Sequence, residues 1–309
     1  MNKKIFVSIL AVVILAIVHP VEAQQAKKVP RIGFLAGSSS EDALHGLRQG
    51  LRELGYVEGK NITIDPRSAE GKFDRLPALV AELVSLKVDV IVTGSTPAAV
   101  AAKNATSTTP IIMSGGTDPV ATGLVPSLAR PGGSITGVTI MNEELAGKRL
   151  ELLKETSPKV SRLGFLWNSA NPGSAVVFKQ TQAAAQELSL SFQSLEVKTV
   201  NDLQGAFDAA TRGGMNGLVL LASAPINDHL KVVADLAVQN RLPSLYDRSN
   251  FVEAGGLMSY GPNVSDMSRR AATYLDKVLK GANHDDLPVE RPTKFDLIIN
   301  LQCAPQRIA

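Results

Sequence analysis

Arg31-Ile-Gly-Phe-Leu-Ala36 and Arg162-Leu-Gly-Phe-Leu-Trp167 are near-copies of one another. Each is a short apolar run of the length of a buried strand. A polar turn follows each, Gly37-Ser38-Ser39-Ser40 in the first case and Asn168-Ser169-Ala170-Asn171 in the second. An amphipathic stretch comes next. After the first copy, Leu44, Leu47, Leu51 and Leu54 fall on one helix face, and Gly55 ends the helix. The alternation continues outward from both copies. In the first block, strands are expected at 61–64, 88–92, 109–113 and 135–140, with a helix at 73–86 and another opening at Pro97. In the second, helices at 145–153, 174–188, 203–211 and 228–239 alternate with strands at 191–197, 218–221 and 244–246. Short apolar runs between helices describe strands covered on both faces, hence parallel sheet. The expected fold class is α/β, built as two similar three-layer lobes with parallel sheets. No Pro/Gly/Ser-rich linker separates the blocks, so close coupling is expected.

Residues 1–23 have the grammar of a cleaved signal peptide. Lys3 and Lys4 are followed by an uncharged apolar run from Ile5 to Val18, and His19-Pro20 breaks it. Val21-Glu22-Ala23 then offers small residues at the two positions read by a signal peptidase. The run is shorter than the ~20 residues of a transmembrane helix. No cysteine follows the cleavage point, so no lipid attachment is expected there. A soluble periplasmic chain from about Gln24 is the expectation. Cys303 is the only cysteine, so no intramolecular disulfide supports the fold and the core must do so.

Several function classes lack their chemistry. The net charge of +3 is spread along the chain without a basic stretch or interleaved aromatics, which argues against nucleic acid as a partner. There is no Gly-x-x-x-x-Gly-Lys phosphate loop and no Gly-x-Ser-x-Gly elbow. Gly213-Gly214-Met-Asn-Gly217 precedes a strand and reads as a turn. His45, His229 and His284 stand far apart, and no His/Cys/Asp/Glu cluster has metal spacing. The chain is expected to be neither an enzyme nor a cofactor carrier.

Ligands of open parallel sheets lie beyond the carboxyl ends of the strands. Here those positions are Ser38, Ser39 and Ser40; Thr93, Gly94, Ser95 and Thr96; Ser114 and Asp118; Asn168, Ala170 and Asn171; and Ser223. Helix starts offer unpaired N–H groups that suit a carboxylate or phosphate. Asp118 is the acid expected to meet a ligand ammonium, and Trp167, Tyr246 and Tyr260 stand near strand ends where they could stack. At any single position the competing reading is an ordinary helix cap. What favours ligand contact is recurrence after several strands of both blocks.

Five segments resemble one family. They are Leu51-Arg-Glu-Leu-Gly-Tyr-Val-Glu-Gly-Lys-Asn61, Ser114-Gly-Gly-Thr-Asp-Pro-Val-Ala-Thr-Gly-Leu124, Arg130-Pro-Gly-Gly-Ser-Ile-Thr-Gly-Val138, Glu253-Ala-Gly-Gly-Leu-Met-Ser-Tyr-Gly-Pro262 and Pro292-Thr-Lys-Phe-Asp-Leu-Ile-Ile-Asn300. Together they resemble the bacterial ABC-transporter substrate-binding proteins of the tryptophan/tyrosine type. The resemblance implies a type I periplasmic-binding-protein fold with crossings near Ile140-Met141, Tyr260-Gly261-Pro262 and Leu287-Pro288-Val289. It places 29–140 plus 262–287 in one lobe and 141–261 plus 288–309 in the other, with the helix from Asp266 to Leu279 returning to the first. It implies a small-molecule solute, an amino acid and in some members an aromatic one, held between Ser39, Ser95, Asp118, Asn168 and Ser223, with Asp247 a further contact. Permease and ATPase subunits of an importer are the implied partners of a monomer. The ending Gln302 to Ala309 departs from the family pattern. A receptor for a sensor kinase or chemoreceptor would share these features, and a secreted α/β hydrolase is the third reading.

Overall fold

The computed structural model describes residues 28–302. The expected signal peptide and Cys303 lie outside them. Two six-stranded sheets organise the chain. The first contains β1 (Arg31–Ala36), β2 (Thr63–Ser68), β3 (Val90–Thr93), β4 (Ile111–Ser114), β5 (Ile135–Val138) and β11 (Val289–Glu290), in the order β11-β5-β4-β3-β1-β2. The second contains β6 (Arg162–Trp167), β7 (Ser191–Glu196), β8 (Gly217–Leu220), β9 (Ser244–Tyr246), β10 (Met258–Gly261) and β12 (Asp296–Ile299), in the order β12-β10-β9-β8-β6-β7. All pairings are parallel except β10 with β12. The expected α/β class with two similar parallel-sheet lobes is what the chain adopts.

The repeated strand motif occupies the same place in each sheet. β1 lies between β2 and β3, and β6 between β7 and β8. Its glycine leaves room for leucine side chains. A Cβ on Gly33 would come within 2.9 Å of Leu83, and one on Gly164 within 2.7 Å of Leu195. A side chain there would force those leucines to repack.

The helices of the first lobe are α1 (Glu41–Glu53), α2 (Leu76–Ser85) and α3 (Thr96–Ala105); the second carries α4 (Ala146–Thr156), α5 (Pro172–Glu187), α6 (Asp202–Arg212), α7 (Leu230–Gln239) and the short α8 (Asn250–Glu253). The last helix, α9 (Val264–Leu279), returns to the first lobe and packs on α1. Gly46 and Gly50, one turn apart on α1, let the two backbones meet: a Cβ on Gly46 would collide with the Ser265 carbonyl, and one on Gly50 would lie 2.6 Å from that of Arg269. Among the described residues no helix is long and apolar enough to cross a membrane.

Two differences from the sequence reading bear on the architecture. β2 runs through Pro66 to Ser68, which an edge strand permits because its outer N–H groups have no sheet partner. Val289–Glu290, expected with the second lobe, pairs with β5 of the first. Val289 donates to the Leu128 carbonyl (2.8 Å) and Thr139 to that of Glu290 (3.0 Å). The third crossing therefore falls between Glu290 and Asp296.

The first crossing turns at Met141, whose φ of 50° is left-handed. Buried Arg149 ties it to the second. Its guanidinium donates to the Asn142 carbonyl (3.2 Å), Asn142 Oδ1 (2.9 Å) and the Tyr260 carbonyl (2.9 Å). Asn142 in turn donates to Asp247 (2.8 Å). Burial pulls the Arg149 pKa down, and the nearby Asp247 carboxylate opposes that shift.

Candidate functional site

The carboxyl ends of both sheets face one another across a cavity of about 240 Å³. From the first lobe it takes the β1–α1 turn, the β3–α3 turn and Phe73. From the second it takes Asn171 at the start of α5, the segment Ala222–Ala224 after β8, Asn227, Arg248 and Asn250. The lobes touch around it. Ser39 donates its backbone N–H to Asp228 Oδ1 (2.8 Å), and Asn227 Nδ2 reaches Ser38 Oγ (3.4 Å). Gly173, in the first turn of α5, sits against Thr96 and Thr117 of the first lobe.

The candidates read from sequence divide here. Ser38, Ser39, Ser40, Gly94, Ser95, Asn171 and Ser223 line the cavity. Most of the others make bonds within the protein, though the buried Thr93 hydroxyl has no partner. Thr96 Oγ1 accepts the Thr117 N–H (3.0 Å), and Ser114 donates to the Thr93 carbonyl (3.3 Å). Thr93 is buried at the strand end, off the cavity lining. Asn168 accepts from Ala170 (2.8 Å) and donates to the Ala224 carbonyl (2.5 Å). Tyr260 packs its ring near Phe295, away from the cleft.

Both acids expected at the ligand already make bonds within the protein. Asp118 Oδ1 accepts the Val120 N–H (2.7 Å), closing a local turn. Asp247 accepts from Ala222 (2.8 Å) and from Asn142. Neither lines the cavity. Tyr246 is fully buried and gives its hydroxyl proton to Asn227 Oδ1, so it supports a lining residue. Burial drives the Tyr246 pKa well above its usual value, keeping the hydroxyl a donor.

The caps separate in the same way. Asn171 does cap α5, accepting from Gly173 (3.0 Å), and its amide donates to Ser223 Oγ (3.2 Å). Ser40 and Ser95 stand at the starts of α1 and α3 without making the side-chain bond a cap would make. Ser95 Oγ is buried with no partner. The same holds for Arg248 Nε and Asn250 Oδ1, both on residues that the strand-end reading passed over. Buried polar atoms are ordinarily bonded. Three of the ten such atoms among the described residues surround this one cavity, where the polar groups of a bound molecule would pair them. Glu41 and Asp42, exposed in the first turn of α1, add negative charge at its rim.

Residues 28–308 match the family model for ABC transporter substrate binding proteins. The chain belongs to that family. It is 29% identical over 278 residues to a tyrosine-binding protein of Clostridioides difficile, covering 89% of this chain and 80% of that one. An ABC domain from Streptococcus pneumonia, solved in complex with L-Trp, is 28% identical with a TM-score of 0.84, over 90% of this chain and 94% of that one. A ligand-free, open substrate binding protein of Clostridium difficile is 27% identical over the same shares, with a TM-score of 0.65. At nearly equal identity and coverage, the better fit is to the ligand-bound structure, in keeping with the hydrogen bonds that join the two lobes here. At the level of fold alone, a leucine binding protein of Thermotoga maritima, 11% identical with a TM-score of 0.63, shares the type I periplasmic-binding-protein architecture.

Proposed function

We propose that this ABC transporter substrate-binding protein is the periplasmic component of an importer, and that it holds an amino acid between its lobes. The observation that carries the reading is the cavity at the facing strand ends, ringed by the unpartnered Ser95 Oγ, Arg248 Nε and Asn250 Oδ1. Donors and acceptors of that kind suit a zwitterion, while Phe73 and the alanines of the wall offer apolar contact to its side chain. Tyrosine and tryptophan, bound by the two relatives, are the first ligands to try.

The lobes move as two bodies, 29–140 with 262–290 against 141–261 with the segment from 291, about the three crossings. Closure buries the ligand and presents one continuous surface to a permease, whose ATPase then drives release. Export by the signal peptide at 1–23 puts the protein where such a permease is reached. It acts as a monomer and leaves its solute chemically unchanged.

Thermal-shift screening of refolded protein against the twenty amino acids, nucleosides and sugars tests the reading. Selective stabilisation by one or a few amino acids is expected, about 2.7 kcal/mol at a hundredfold excess over Kd. A well-folded sample that no small solute stabilises refutes it.

A further inference from the structure

We propose that Arg248 sets the charge selectivity of the cleft by taking the carboxylate of the bound solute. The inference rests on the reading of this cavity as an amino-acid site. Arg248 follows β9 by two residues and lines the cavity. Its Nε–H is buried without an acceptor, and the guanidinium makes no ion pair among the described residues. Asp247 is bonded to Ala222 and Asn142 and Asp228 to Ser39, while Glu41 and Asp42 stand exposed at the cavity rim on the other lobe.

A buried guanidinium N–H without a partner is costly, and the planar fork matches a carboxylate better than any other common anion of this size. Ser95 Oγ, a donor from the opposite lobe, is also free. A carboxylate has lone pairs for both, so one ligand group would satisfy a residue from each lobe. Asn250 Oδ1 is an acceptor and suits the ammonium. The assignment makes the anionic end of the solute a bridge that rewards closure.

The test is calorimetric. L-tyrosine, L-tryptophan, L-phenylalanine, L-leucine and L-serine are titrated beside their carboxamides, which keep the ammonium and lose the anion. Wild-type protein is expected to bind at least one acid about 10- to 100-fold more tightly than its amide, the factor for a charge-assisted hydrogen bond. Arg248→Met should lower acid affinity by that factor, leave the amide unchanged and bring the ratio near one. Arg248→Lys should recover part of it, and neither variant should melt below wild type without ligand. An acid-to-amide ratio preserved in Arg248→Met overturns the assignment alone. Failure of wild-type protein to bind any of the probes overturns the amino-acid reading and the assignment with it.

Discussion

Replacing Gly173 by alanine separates lobe closure from folding. Gly173 lies in the first turn of α5, where alanine is sterically acceptable within its own lobe. A Cβ there would come within 2.6 Å of Thr117 Oγ1 and 2.8 Å of Thr96 Oγ1, both in the other lobe. Neither hydroxyl-bearing residue can swing aside freely, because both are buried and Thr96 Oγ1 accepts the Thr117 N–H. Relief requires the lobes to part by several tenths of an ångström. Overpacking of this size costs about 1–3 kcal/mol, and here only the closed form bears it. On the proposed reading, in which closed lobes hold the ligand, affinity should fall about 5- to 150-fold. Calorimetric titration measures the loss, and small-angle scattering should show the liganded variant more open than wild type. The melting temperature without ligand should stay where it was. Unchanged affinity would refute the reasoning, and so would a fall in unliganded stability equal to the fall in affinity.

The remaining predictions concern the frame that carries the site. Gly46→Ala should destabilise by about 1–3 kcal/mol despite the better helix propensity of alanine, because its Cβ meets the α9 backbone; Gly205→Ala, with open space in α6, should stabilise by about 0.5–1 kcal/mol. Urea unfolding of the two variants gives opposite shifts in midpoint. Arg149→Met takes the guanidinium donor from the Asn142 carbonyl, Asn142 Oδ1 and the Tyr260 carbonyl inside the protein, at a cost of about 3 kcal/mol or more by the same measurement. Glu143, in the first crossing, has its carboxyl pKa raised mainly by burial and further by Asp118 and Glu144. The protonated form is therefore favoured by folding, and its contribution is full below the unfolded glutamate pKa and lost as pH rises through the folded one. Glu143→Gln should melt higher than wild type at pH 7, and the difference should vanish below about pH 4.

The strand–helix alternation was readable because central parallel strands are buried on both faces and leave uninterrupted apolar runs, as in Arg31–Ala36 and Arg162–Trp167. Edges were less readable. Val289–Glu290 is two residues long, and what assigns it to the first sheet is pairing with β5, more than a hundred residues away in sequence. The site shows the same division. Which elements meet at the cleft follows from the rule for strand ends, and seven of the small polar residues it singled out line the cavity. Which side chains are free there depends on bonds that close only in three dimensions. Asp118 precedes Pro119 and Val120, and its Oδ1 takes the Val120 N–H in a local turn. Asp247 and Arg248 are adjacent in the bend just past β9. The acid turns into the hinge network and the base into the cavity. A one-residue difference thus reverses the charge that the second lobe offers a ligand, and Arg248 rather than Asp247 is the group the solute's anionic end would meet.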